Sequence, residues 1–270
     1  MRSLRLFAVL VAAVSLAACL NSTTLVKLKP DGSGTVEQTT LMNMAALKGM
    51  IPGGAAGQTP QGPMMNKADL ERTAQRMGKG VRLVSTEPIK GANGFEGTKA
   101  IFSFEDINQI QISQDPNVNT DAMGGGKPEQ PVKFNFTRNP SGTSTLTINI
   151  NDRPVGDAAK EKPEMPERAD MPDLTNPMIM NMIKTMFDGF KIAIDLEVVG
   201  SIVKTNAEYV KGSRLTLLEM DMSSLLADEA KLRALQGKIQ PGASFSDVKP
   251  YLKDIKGIKI DGPSIKVEFK

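Results

Sequence analysis

The side chains capable of chemistry form a restricted set in this sequence. Its 270 residues include no histidine, no tryptophan and a single cysteine, Cys19. Without histidine the chain can build neither a Ser-His-Asp nor a Cys-His catalytic arrangement, and it offers no imidazole to a metal. Carboxylates, lysines, hydroxyls and two tyrosines, Tyr209 and Tyr251, remain as candidate acids, bases and nucleophiles.

One serine and one lysine have a spacing that is used in covalent catalysis. Ser201 and Lys204 match the S-x-x-K spacing of penicillin-binding enzymes, in which the lysine lies one helical turn from the nucleophilic serine. Here the intervening residues are β-branched and predict a strand, where positions three apart point to opposite faces. The companion S-D-N and K-T-G motifs are absent. We therefore expect no enzymatic activity, with serine acyl transfer as the outlying alternative.

Two further clusters fit loops better than binding sites. The run Gly124–Lys127 lacks the hydroxyl residue that follows lysine in a phosphate-binding loop, and no predicted strand leads into it. The stretch Asp31–Gly34 carries one acid, too few for a calcium loop. The 33 basic and 30 acidic side chains are nearly balanced, which does not suggest a nucleic-acid partner. We predict no metal, no cofactor and no nucleic-acid partner.

The start of the chain has three zones. Arg2 and Arg5 make it positive, residues 6–16 are apolar, and Ala17-Ala18 are small. This order is typical of a secretory signal, because the apolar run is too short to span a bilayer as a mature helix. We predict that residues 1–18 are a signal peptide, removed from the mature chain.

The residues around Cys19 refine that prediction. The stretch Leu16-Ala17-Ala18-Cys19 resembles the bacterial lipobox, in which diacylglycerol is attached to the thiol and the chain is cleaved before the cysteine. The resemblance implies that Cys19 is the lipid attachment point and carries acyl chains such as palmitate, several of which anchor a protein firmly. Residues 20 and 21 are not the aspartate associated with inner-membrane retention, which implies the outer membrane facing the periplasm in a Gram-negative host. The alternative is an ordinary signal peptide beside a buried cysteine.

Residue patterns along the chain predict an α+β fold. Alternating residues around turn signals predict hairpins at 25–41 and 132–150, and further strands at 81–104 and, as an antiparallel meander, at 190–220. Capping residues and helical spacing predict helices at 66–77, 176–187, 223–235 and 244–255. Because most strands are neighbours in sequence, we expect an antiparallel β-sheet packed with three or four helices.

A proline-rich segment divides the predicted domain into two parts. Residues 152–177 contain five prolines and a dense mixture of both charges, which predicts a linker or a long loop. The N-terminal part of the β-rich ectodomain would then occupy residues 19–151, and the C-terminal α+β part residues 178–270. We expect the two parts to share one sheet.

Methionine is in excess, with 16 in the chain and four of them in residues 178–187. One helical stripe that the sheet could cover is formed by Ile179, Met182, Ile183 and Met186. Met178 and Met180 lie off that stripe, so the helix is apolar over more than one face. Three interpretations are open: core packing, a surface for acyl chains or a protein partner, and a thioether copper site. The candidate apolar binding residues are Met178, Met182 and Met186.

Two stretches are similar to segments of known lipoproteins. Residues 200–217 (GSIVKTNAEYVKGSRLTL) are similar to the strand–turn–strand of uncharacterised bacterial lipoproteins, and they also resemble the β-rich domain of the mycobacterial LppM-type lipoproteins. Residues 25–34 (LVKLKPDGSG) extend the resemblance towards the start of the chain. Members of the LppM group are thought to bind lipids or glycolipids of the envelope, so the resemblance implies lipid binding.

These patterns together predict a membrane-anchored extracytoplasmic lipoprotein whose domain is not catalytic. The first hypothesis is that the domain binds an apolar envelope ligand such as lipid, in a cavity between the sheet and the helix at 176–187. The second hypothesis is that it is a scaffold or assembly factor that uses the same helix on a protein partner.

Overall fold

The computed structural model describes residues 20–44, 65–113, 131–150, 176–231, 245–253 and 255–270. The predicted leader, Cys19, the Gly124–Lys127 run and residues 152–175 lie outside the described residues.

Two β-sheets dominate the described part of the chain, which is α+β as the sequence predicts. The strands are β1 Leu20–Leu28, β2 Gly34–Asn43, β3 Arg82–Lys90, β4 Phe95–Phe104, β5 Gln111–Ser113, β6 Pro131–Arg138, β7 Ser144–Asn149, β8 Lys191–Val198, β9 Ile202–Thr205, β10 Val210–Lys211, β11 Arg214–Asp221, β12 Ile258–Ile260 and β13 Ser264–Phe269. The helices are α1 Lys67–Met77, α2 Pro177–Met186, α3 Met222–Ala227 and α4 Phe245–Leu252.

The first sheet has the order β10-β11-β8-β1-β2-β4-β3, and β12 also pairs with β11. Its pairs are antiparallel except that of β1 and β8, which is parallel. The second sheet has the order β5-β6-β7-β13-β9 and is antiparallel throughout. Both predicted hairpins are present, as β1–β2 and β6–β7. Strands from before and after residues 152–177 pair in each sheet.

The single sheet and the meander at 190–220 were wrong predictions. β8 pairs directly with β11, while β9, which lies between them in sequence, belongs to the second sheet and pairs with β13. The change of sheet occurs at Gly200, whose φ is +139° and whose α-carbon lies against the carbonyl of Lys270. Ser201 and Lys270 then exchange two backbone hydrogen bonds of 2.8 and 3.0 Å, which carry the chain into the second sheet.

The two sheets pack around one hydrophobic core. Fully buried residues from the first sheet, such as Val26 and Phe102, belong to the same cluster as Ile148 and Phe269 from the second sheet. Helix α1 lies against the edge strands β3 and β5 and buries Leu70, Ala74 and Met77 in this core. The helix begins where the sequence predicts, at a capping box made by the side chains of Asn66 and Asp69.

A smaller apolar cluster lies beside the end of the first sheet. Leu225 of α3 and Leu252 of α4 pack with Ile255 and Ile258, the last of these on β12. Helix α2 is separate from both clusters, since none of its described residues belongs to either. The expectation that the sheet could cover one stripe of this helix is therefore not met by its described residues.

Candidate functional site

The methionine-rich helix α2 begins at the predicted residue. The side chain of Asn176 accepts a hydrogen bond of 3.0 Å from the backbone N–H of Met178, and Pro177 occupies the first turn, where its missing N–H costs nothing. The last turn ends with the N–H of Phe187 donating to the carbonyl of Ile183. A local sequence signal therefore sets the N-terminal end of this helix.

The exposed face of α2 differs from the predicted one. Met178 is 81% exposed and Met182 is 57% exposed, whereas Met180 is only 4% exposed. On the stripe that the sheet could cover, Met182 is exposed, whereas Ile179 and Ile183 are half-buried, and Met180, which was expected off the stripe, is buried. Met186 belongs to α2, but the structure does not describe its side chain.

The covered side of α2 is set by its connection to the end of the first sheet. After the helix, Gly189 N–H donates to Ser223 Oγ at 3.0 Å, and the carbonyl of Phe190 accepts from Met222 N–H at 3.0 Å. Lys184 Nζ also donates to Glu229 Oε1 at 2.6 Å. The two backbone bonds therefore tie the turn after α2 to α3, and Lys184 ties α2 itself to Glu229, two residues beyond the end of α3.

This end of the sheet is also where β1 begins. β8 starts at Lys191, directly after the turn that follows α2, and Lys191 pairs with Asn21 near the start of the parallel strand β1. Neighbouring parallel strands start at the same edge of a sheet. The helix that carries the exposed methionines is therefore joined to the edge of the first sheet at which β1 begins. Cys19 precedes β1 by a single residue in the sequence.

A second feature is a polar cleft of about 620 Å³ on the outer face of the first sheet, the face turned away from the core. The cleft is lined by Thr23, Lys191, Ala193, Asp195, Glu208, Tyr209, Val210, Lys211, Arg214, Thr216, Glu219 and Lys259. Its floor consists of β1, β8 and β11, and one wall is formed by residues 208–211 before and in β10. No described side chain of the methionine-rich helix lines it.

A register shift in β11 places two polar residues on the floor of this cleft. The shift falls between Thr216 and Leu218, so that Thr216 pairs with Asp195 and Glu219 pairs with Ala193. Without the extra residue, Thr216 and Glu219 would point to opposite faces, because they are three positions apart. The small side chain of Ala193 leaves room above the floor.

Asp195 is the centre of one charged group in the cleft. It is 8% exposed, and its two carboxylate oxygens accept hydrogen bonds of 2.7 Å from Arg214 Nη2 and from Thr216 Oγ1. The hydrogen bond to Asp195 raises the pKa of Arg214 above its already high ordinary value. Arg214 therefore stays cationic and is held in a fixed orientation.

Glu219 is the centre of a second charged group. Lys259 Nζ donates to Glu219 Oε2 at 2.5 Å, and Lys191 Nζ lies 3.3 Å from Glu219 Oε1. Burial by itself would raise the pKa of Glu219, but the hydrogen bonds from the two lysines outweigh it and hold the pKa below its ordinary value. Glu219 is therefore ionised at neutral pH.

Hydrogen bonds to Asp261 hold the wall of the cleft in place. Its carboxylate accepts from the backbone N–H groups of Glu208, at 3.0 Å, and Gly262, at 2.7 Å, while burial raises its pKa. Lys249 Nζ donates to Glu208 Oε1 at 2.6 Å and holds the pKa of Glu208 below its ordinary value. Burial and the negative charge of Glu208 raise the pKa of Tyr209, whose phenol therefore stays protonated.

The structure also shows where the S-x-x-K residues lie. Ser201 directly precedes β9 and Lys204 is within it, and both side chains are exposed. A strand does not bring positions three apart together, so the geometry of penicillin-binding enzymes is not formed. Among the described residues, no group of three or more acidic residues is placed to hold a metal ion.

The sequence did not indicate the cleft. Its residues come from positions between 23 and 259, and those from the stretch 200–217 were noted only for a resemblance to lipoproteins, not as a site. The only signal was the alternation of polar and apolar residues in β1, β8 and β11, which predicts a polar face but not which side chains share it.

Comparisons with known proteins add little. No family model matches the chain, and no curated protein matches it. Among solved structures, the chain is similar to the folded domain of the Mycobacterium tuberculosis LppM protein, determined by NMR, with a TM-score of 0.35 and 12% identity over 93% of this chain and 90% of that one. No helix in the described ranges is long and apolar enough to cross a membrane.

Proposed function

We propose that this chain is a lipid-anchored protein of the bacterial cell envelope whose two-sheet domain binds an apolar envelope ligand and is not an enzyme. Cys19 carries the lipid, residues 1–18 are the leader, and in a Gram-negative host the domain faces the periplasm from the outer membrane. The apolar ligand, such as the acyl chain of a lipid, contacts the exposed side of α2 through Met178 and Met182.

The exposure of these two methionines is the observation that carries the proposal. Met178 and Met182 are four positions apart, and therefore lie one above the other on the same side of α2, at 81% and 57% exposure. Covering a methionine side chain completely is worth about 1.5–3 kcal/mol, so an exposed pair is a strong site for an apolar partner. Methionine suits varied acyl chains because its side chain is flexible and polarisable.

The position of α2 agrees with a ligand taken from a membrane. The helix is joined to the edge of the first sheet at which β1 begins, and Cys19 is the residue immediately before β1. A lipid on Cys19 would hold this edge close to the bilayer, because one residue spans less than about 4 Å. The methionines would then be within reach of acyl chains.

The proposal can be tested with a photoactivatable fatty acid added to cells that produce the full chain. We expect crosslinking to the segment 177–187, its loss in Met182→Asp, and its retention in Val203→Asp. Val203 is a matched control because it is also an exposed apolar residue, at 52%, but lies on β9 in the other sheet. Crosslinking that is equal in all three chains would contradict lipid binding by α2. Crosslinking of this segment to a protein and not to the fatty acid would favour the scaffold hypothesis instead.

A further inference from the structure

We infer that the polar cleft on the outer face of the first sheet binds a small anionic ligand that presents phosphate or carboxylate oxygens. This site is separate from the methionine helix, and its ligand is recognised by charge and hydrogen bonds. The inference does not depend on the anchoring or the apolar ligand proposed above.

The acidic groups that line the cleft already have their partners. Asp195 uses one oxygen for Arg214 and the other for Thr216. Glu219 uses one oxygen for each of two lysines, Lys191 and Lys259. A cation entering the cleft would have to displace these donors, so the cleft does not favour a positively charged ligand.

The third acidic group is also engaged, from outside the lining of the cleft. Glu208 Oε1 accepts from Lys249 at 2.6 Å, and Glu208 Oε2 lies 3.9 Å from Lys253 Nζ. Both lysines belong to the segment of α4 and the turn after it. These two lysines balance the negative charge of Glu208, so the cations that line the cleft are not needed for it.

The donors of the cleft, in contrast, are in surplus. A lysine has three N–H donors and an arginine has five, and Lys191, Lys259 and Arg214 each use few of theirs on the carboxylates. Lys211 is exposed and makes no ion pair within the described residues. The raised pKa of Tyr209 preserves one more O–H donor. A ligand rich in acceptor oxygens would satisfy these groups.

The cleft has the size and rigidity of a ligand site. Its volume of about 620 Å³ falls in the range of small-molecule sites and exceeds what a bare phosphate fills. The buried Asp195 fixes the guanidinium of Arg214 before a ligand arrives, so less entropy is lost on binding. The planar guanidinium can then bind two oxygens of a phosphate or carboxylate at once.

The test uses the full chain and two soluble probes, glycerol 3-phosphate and succinate, in calorimetric titrations at low ionic strength. Phosphatidylglycerol vesicles, compared with phosphatidylcholine vesicles, test whether the anion comes from a lipid headgroup. We expect saturable binding of at least one anionic probe. Binding should weaken at least about tenfold in Arg214→Gln and in Lys211→Gln, since each substitution removes a charge-assisted hydrogen bond to the anion.

Two variants and one control make the result decisive. Lys211→Gln leaves all the described ion pairs intact, so it stays informative even if Arg214→Gln fails to fold. Arg82→Gln is the control, because this exposed cation lies on β3, at the opposite edge of the same sheet. Binding of a soluble probe supports a free anionic metabolite, and cleft-dependent binding of the anionic vesicles alone supports a headgroup. The absence of saturable binding, or binding that Arg82→Gln weakens as much as Lys211→Gln, would overturn the inference.

Discussion

The ring of Phe95 occupies the space next to the α-carbon of Gly189. A Cβ atom at position 189 would lie 2.3 Å from Phe95 Cζ, and Gly189 has a φ of +76°. Phe95 begins β4, and Gly189 lies in the turn between α2 and β8. This contact therefore fixes the methionine helix to the end of the first sheet.

Gly189→Ala should destabilise the domain more than an ordinary glycine replacement. The left-handed conformation costs alanine about 1–2 kcal/mol, and crowding against Phe95 adds about 1–3 kcal/mol. Gly142→Ala is the matched control, since Gly142 has a φ of +84° but no atom within 4 Å of the added Cβ. Urea unfolding of both variants measures the difference, and equal losses would mean that Phe95 does not pack against the turn.

Truncation of Ile148 should show whether the two sheets share one core. Ile148 of β7 is fully buried and belongs to the same cluster as residues of the first sheet. Ile148→Ala should lower the free energy of unfolding by about 2–5 kcal/mol, because it leaves a cavity. Val203→Ala, at an exposed position, should change it by less than about 0.5 kcal/mol. Denaturant unfolding that shows two separate transitions would contradict a shared core.

How far the sequence predicts this fold depends on the distance between the interacting residues. The hairpins β1–β2 and β6–β7 were predicted because their turn residues lie between the paired strands. The N-termini of α1 and α2 were predicted for the same reason, since Asn66 and Asn176 cap their own helices. The parallel pairing of β1 with β8 depends on residues about 170 positions apart, and no local pattern encodes it.

The candidate site shows the same limit. The excess of methionine in α2 was evident from the sequence, but which methionine is exposed depends on how the turn at Gly189 attaches the helix to α3 and Phe95. The change of sheet at Gly200 was missed because a short connection between two strands normally joins neighbours. The polar cleft was missed because a one-residue shift in β11 decides which side chains face it.

The free energy of unfolding should decrease in acid because Glu219 becomes protonated. The folded state lowers the pKa of this carboxyl, so its contribution is complete above the pKa of an unfolded glutamate, about 4.3, and is lost as the pH falls through the lower folded value. Glu219→Gln should cost about 1 kcal/mol at pH 7, a modest figure because the network is partly solvated, and progressively less as the pH falls below about 4.3 and through the folded value. Unfolding measured across this range checks the sign. The exposed Glu71→Gln is the control, and a loss for Glu219→Gln that grows in acid would contradict the assignment.

Ser201 should be chemically inert. Ser201 directly precedes β9 and Lys204 lies within it. The two residues therefore do not form the helical pair that activates a serine. A penicillin-type acylating probe should leave the chain unlabelled, as judged by intact mass, with the same result for Ser201→Ala. Labelling of the unmodified chain that disappears in Ser201→Ala would restore the acyl-transfer hypothesis.

Acylation of Cys19 is the central claim of the proposed function. Mass spectrometry of the N-terminal peptide, from full chain isolated with the membranes of its own cells, tests this claim. We expect the peptide to begin at Cys19 and to carry the mass of diacylglycerol and further acyl groups, and we expect Cys19→Ser to remove both the modification and the membrane association. An unmodified peptide that still includes residues 1–18, recovered from the cytosol, would contradict the account.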